Sequence, residues 1–323
     1  MAMRARLDVS DAAARERPAT HLMRLRDGRR LAYTELGDPD GVPIIHQHGM
    51  PGSRLDHVAE PELYRSMGVR VITPDRPGYG LSDPDPHRRL LEWPSDMAEL
   101  ADHLGISRFG ITGLSGGGIY ALACAAAIPH RLTDVVVTGC PGPMDREGAL
   151  VDMRFMTRAG VWLGSRAPWL LEAGATLLSG LVRRYPRFFV DHFNEGLPAA
   201  DRRWLFTPSV NRGAVDTLRE ALRPGAWGYV QDIRVLAGPW GFDLEEIHVP
   251  VQLWHGTEDR VIPLHHGRYL ASVIPGATLR ICPGEAHMLM WNHLAEILME
   301  AAGMPRQDVE GAAAAHLATT APL

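Results

Sequence analysis

Residues 108–130 read RFGITGLSGGGIYALACAAAIPH. Phe109, Ile111 and Leu114 lie on a short apolar run that fits a buried strand. Gly113-Leu114-Ser115-Gly116-Gly117 matches the G-x-S-x-G pattern of a nucleophile elbow. The glycines have a steric task. A serine held in a tight strand-to-helix turn needs neighbours without Cβ atoms, or the two backbones collide. Tyr120, Leu122, Ala123, Ala126 and Ala127 continue at helical spacing, with small residues that let a helix press on a sheet. Ser115 is then expected at the top of that sheet, its hydroxyl exposed at the positive end of the helix.

Three other readings compete. The stretch from Phe109 to Pro129 is uncharged and long enough to span a bilayer. Glycines crowded into its first half argue for a turn there, which would strand backbone polar groups in lipid. Gly116-x-Gly118-x-x-Ala121 also satisfies a loose dinucleotide fingerprint. That chemistry needs an acid at the end of the following strand, and 135–139 runs into Cys140 and Pro141 instead. A plain packing turn would not need the serine.

Composition narrows the function classes. The 323 residues leave room for one large domain or two smaller ones, and the net charge of −5 comes with no concentrated basic stretch. Neither nucleic acid nor a membrane is an expected partner. All 33 basic residues are arginine, which removes Schiff-base chemistry and every mechanism built on a catalytic or phosphate-binding lysine. Cys124, Cys140 and Cys282 are widely spaced, with no zinc-type pair and no disulfide framework. The charged N-terminus lacks an apolar signal core, and a cytoplasmic location is expected.

Outward from the elbow, the pattern alternates. Short segments around Asp27-Gly28 suggest a hairpin, followed by strands at 43–47 and 69–72 and a helix at 91–104. After the strand at 132–139 the alternation stops, resuming only at Val249 with a helix near 264–274, a strand at 278–282 and a helix at 288–302. An α/β domain with a mostly parallel sheet and helices on both faces is therefore expected over 19–140 and 248–303. A helical cap broken by prolines should occupy 141–247, with a flexible leader at 1–18 and a flexible tail at 304–323.

A serine hydroxyl attacks only when a base takes its proton, and that base needs an acid to orient it. Two late post-strand loops can supply them, in the order serine, acid, histidine. His287, in Pro283-Gly284-Glu285-Ala286-His287, is the candidate base; Asp259 is the candidate acid, with adjacent Glu258 and the earlier Asp145 as rivals. The N–H groups of Gly116 and Met50 are the candidate oxyanion donors, the latter in His48-Gly49-Met50-Pro51-Gly52.

Together with the loop Asp75–Ser82, these motifs resemble the cap-bearing branch of the α/β-hydrolase superfamily, over roughly residues 20–302. In relatives with H-G-x-P the residue after His-Gly supplies an oxyanion amide, which supports Met50. Epoxide hydrolases and haloalkane dehalogenases of similar layout carry aspartate where this chain has Ser115. The resemblance implies the α/β-hydrolase fold and a serine hydrolase acting on a carboxylic ester or lactone through an acyl-enzyme, with no metal or organic cofactor. Cleavage of a carbon–carbon bond in a diketone, or ligand binding without turnover, are the alternatives. More than half of the chain's aromatic residues fall in the cap, which suggests a small, largely apolar substrate. Oligomeric state stays open.

Overall fold

The computed structural model describes residues 18–56, 61–205 and 208–304. The expected leader and tail thus lie outside the described residues, apart from Pro18 and Met304. Eight strands form one sheet: β1 (Thr20–Arg24), β2 (Arg30–Gly37), β3 (Val42–Gln47), β4 (Val69–Pro74), β5 (Phe109–Leu114), β6 (Leu132–Thr138), β7 (Val251–Gly256) and β8 (Thr278–Cys282). Their spatial order is β1-β2-β4-β3-β5-β6-β7-β8. β1 and β2 form an antiparallel hairpin and β2 runs antiparallel to β4; from β4 to β8 every pairing is parallel. Gly28 closes the hairpin at a φ of 92°, open to glycine without strain.

Helices α1 (Pro61–Ser66), α2 (Trp93–His103) and α3 (Gly117–Ala127) connect the first strands. Between β6 and β7 come α4 (Phe155–Arg166), α5 (Pro168–Arg184), α6 (Pro186–Glu195), α7 (Ala199–Leu205), α8 (Pro208–Ala221) and α9 (Trp227–Ala237). The last helices among the described residues are α10 (His265–Val273) and α11 (Met290–Ala301). Prolines open α5, α6 and α8, where a missing N–H costs nothing.

Alternation along the central strands feeds two cores. Ile45, Ile111, Val135 and Val137 pack with residues of α2, α3 and α10 on one face. Ile44, Val71, Leu114 and Val136 pack with α1 and α11 on the other. Strands buried on both faces read as continuous apolar runs, which is why β5 and β6 carry no charge in their last four residues. The uncharged stretch from Phe109 is thereby divided between β5 and α3, and no described helix is long and apolar enough to cross a membrane.

The aromatics of the helical segment between β6 and β7 divide between surface and interior. Phe155, Trp162, Trp169, Tyr185, Phe188 and Phe193 are exposed, whereas Trp240 is buried. Trp227 is pressed against Gly78, where an added Cβ would lie 2.2 Å from its ring. The helical segment meets the rest of the fold through apolar residues such as Val161, Leu236 and Trp240 and through the buried acids Asp201 and Asp232.

Candidate active site

Ser115 follows the last residue of β5 with a φ of 55°, one of two positive-φ residues other than glycine among those described. An L-residue in this region costs on the order of 1–3 kcal/mol and persists only when its surroundings impose it. Here Ser115 N–H donates to Thr138 O at 2.8 Å and Ser115 O accepts from Gly118 N–H at 2.9 Å. The flanking glycines are required by contact. A Cβ on Gly117 would lie 2.1 Å from Gln47 O, and one on Gly113 would lie 2.7 Å from Gly118 Cα.

Histidine and acid meet at the neighbouring strand ends. His287 Nδ1–H donates to Asp259 Oδ2 at 2.7 Å, with both side chains buried. The other carboxylate oxygen, Oδ1, accepts from the N–H groups of Val261 and Ile262, each at 2.8 Å. Asp259 is thus pinned by its own loop before it orients the imidazole. Glu258 and Asp145, the rival acids, are both exposed. Gly139, just beyond β6, sits directly beneath the pair, where an added Cβ would be 3.1 Å from His287 Nδ1 and 3.3 Å from Asp259 Oδ2. Since Thr138 holds Ser115, serine, histidine and acid share one rim of the sheet. Among the described residues no hydrogen bond joins Ser115 Oγ to His287; such bonds often tighten only around substrate.

Burial opposes charging His287, but the Asp259 carboxylate, by charge and hydrogen bond, and then Asp201 outweigh it and hold the imidazole above its ordinary pKa. His48, also buried, is driven well below the ordinary value by desolvation and by the Arg76 guanidinium. It stays neutral, donating from Nδ1 to Gly49 O at 2.9 Å and accepting the Arg76 N–H at Nε2 at 3.3 Å.

Met50 and Gly116 are neighbours, with an added Cβ on Gly116 falling 2.4 Å from Met50 Sδ. Neither backbone N–H donates to another group among the described residues. What holds the Met50 loop escaped the sequence reading. Arg76 Nη1 donates to His48 O at 2.6 Å and its Nη2 to Gly49 O at 2.9 Å. The same guanidinium pairs with Asp232 Oδ2 at 2.7 Å. Asp232 lies on α9, and it also accepts from Tyr79, Tyr120 and Arg88. Burial would raise this carboxyl, yet the two guanidiniums prevail and bring it down to about 2. Asp201, on α7, is the second acid the sequence reading missed: it receives the backbone N–H groups of His287 and Met288. The only hint for Arg76 was its place in the loop 75–82; nothing local marks Asp201 or Asp232.

A family model described as alpha/beta hydrolase fold matches residues 42–294. The chain is 27% identical over 287 residues to a non-heme chloroperoxidase of Streptomyces lividans, covering 83% of this chain and 92% of that protein. It is 29% identical over 257 residues to a pimeloyl-acyl-carrier-protein methyl ester esterase of Aromatoleum aromaticum, covering 76% and 89%. Among solved structures, a bromoperoxidase from Bacillus anthracis superposes with a TM-score of 0.64 at 23% identity, covering 88% of this chain and 98% of that one. With the family model spanning most of the chain and the sheet ordered as described, the protein belongs to the alpha/beta hydrolase fold family and is a hydrolase of that superfamily.

Proposed function

We propose that the protein is a serine hydrolase that cleaves a carboxylic ester or lactone of a small, largely apolar substrate. The observation that carries this is the buried His287–Asp259 hydrogen bond on the same rim as a serine held in a strained elbow. His287 Nε2 takes the Ser115 proton as Oγ attacks the carbonyl carbon, and the Asp259 carboxylate stabilises the imidazolium that forms. The oxyanion develops toward the N–H groups of Gly116 and Met50. His287 then gives its proton to the departing alkoxide, leaving an acyl-serine. A water attacks that acyl carbon, losing its proton to His287, and the acid leaves as Ser115 recovers the proton. The Met50 side chain beside Gly116 supplies an apolar wall next to the acyl position. Similarity to a methyl ester esterase agrees with ester cleavage.

A fluorophosphonate probe tests the nucleophile directly. Label is expected at Ser115 alone, with turnover of p-nitrophenyl esters abolished in Ser115→Ala. Label mapped elsewhere, or full activity in that variant, overturns the reading.

A further inference from the structure

His287 sits in a loop that is held from above as well as from within. Asp201 is 1% exposed and comes from α7, in the helical segment between β6 and β7. Its Oδ2 accepts the His287 N–H at 3.1 Å and its Oδ1 accepts the Met288 N–H at 2.8 Å. Two residues further along α7, Arg203 pairs with Glu285 Oε2 at 3.1 Å. The same short helix therefore grips the loop on both sides of the histidine.

Backbone N–H groups at a loop bend need acceptors when buried, and a water or a neutral amide would serve for packing alone. A carboxylate placed there also brings a negative charge close to an imidazole that must become cationic. Burial, with the nearby Asp259 charge, raises this carboxyl above its ordinary value, and its ionised form is favoured by the two N–H donors and by His287 itself.

We propose that Asp201 is a positioning residue for His287: by holding the backbone of its loop from the cap, it fixes where the imidazole stands and adds a second carboxylate to its surroundings. This rests on His287 being the base. The consequence is that general-base competence is tied to seating of α7 over the site. The groups facing His287 are Asp259 from the loop after β7, Asp201 from α7, Arg154 at the start of α4 and His255 on β7. Asp259 and Asp201 favour the imidazolium and Arg154 opposes it.

Carbon-detected NMR titration of the His287 ring in the full chain, assigned with His287→Gln, tests the proposal without reference to turnover. In Asp201→Asn the His287 titration should move to lower pH. For the ester reaction kcat should fall by roughly ten- to a hundredfold with KM nearly unchanged, as for a misplaced catalytic group. The acid limb of the kcat/KM profile should move in the same direction as the ring titration. An unmoved His287 titration in a folded Asp201→Asn protein overturns the proposal. Should that variant fail to fold, hydrogen exchange on the unaltered protein decides: slow exchange at the His287 and Met288 amides is expected, and fast exchange at both overturns it. Failure of the esterase reading shows separately, as absence of fluorophosphonate label at Ser115, while the ring titration still reports on Asp201.

Discussion

Among single residues, the proposed mechanism makes His287 and Asp259 the pair on which turnover should depend. Asp259→Asn should keep the fold, because an amide oxygen can still accept from Val261 and Ile262, yet it presents the wrong group to Nδ1. A loss of about a thousandfold or more in kcat is expected. Asp145→Asn, on an exposed side chain, should leave the rate unchanged; the reverse result would move the acid to the loop after β6. His287 must be neutral to act, and its pKa is held above the ordinary histidine value. Activity should therefore rise with pH on a limb lying above the range of a free histidine, and a rate flat from about pH 5 to 8 would contradict that. Gly117→Ala makes a steric test of the elbow. Its Cβ would meet Gln47 O at 2.1 Å, and backbone cannot yield as a side-chain tip can. Loss of about 1–3 kcal/mol by urea unfolding is expected, and an unchanged midpoint would mean the elbow relaxes.

At the scale of elements, the loops after β3 and β4 are joined to α9 through one carboxylate. Arg76 and Asp232 are fully buried, and Arg88 is nearly so. Charges so placed stay in the interior only because each has its partner. Asp232→Ala should leave Arg76 and Arg88 uncompensated, at a cost of about 3–5 kcal/mol, measured by urea unfolding. A cost below about 1 kcal/mol would show that water reaches the guanidiniums. Because Arg76 also holds His48 O and Gly49 O, the variant should lose kcat beyond its loss of stability. Little of this was legible beforehand. The strands and α3 announce themselves by periodicity, which is a local property, whereas Asp232 meets Arg76 across 156 positions of chain.

For the whole molecule, acid stability is set by histidines buried without charge. Desolvation holds His46 down to about 4 and His266 to about 3, and lowers His48 and His255 as well. The unfolded chain binds protons at these sites from about pH 6.5 downward while the folded protein does not. Their contribution is thus complete above the ordinary histidine range and is lost as pH falls toward the folded values. Asp96, raised to about 6 by burial, and Asp75, Asp134 and Asp201, also raised by burial, act in the opposite sense: their contribution is present at low pH and fades as pH rises through the folded values. Raised His287 and His293 likewise favour the acid side, but only until the unfolded histidines are themselves protonated. Four lowered histidines should dominate between about pH 6.5 and 5.5, so Tm should drop on acidification across that interval. A Tm that stays level or rises would mean these rings take up protons inside the fold.

Residue order alone carries the sheet, the helices on its two faces, the tight turn at Ser115 and the two loops that bear Asp259 and His287. Each is written in neighbouring residues: apolar runs for strands, glycines for a turn that admits no Cβ, and post-strand loops in chain order. Three further matters depend on packing in three dimensions. It chose Asp259 over Asp145 as the partner of His287, since both follow parallel strands and only distance separates them. It turned much of the aromatic content between β6 and β7 outward, because apolar residue types do not state which face they occupy. And it brought Asp201 of α7 onto the loop of His287, and Asp232 of α9 onto Arg76, which holds the loop of Met50. An acid on an amphipathic helix looks solvent-facing in sequence, and only packing reveals which charges lose their water and must find each other.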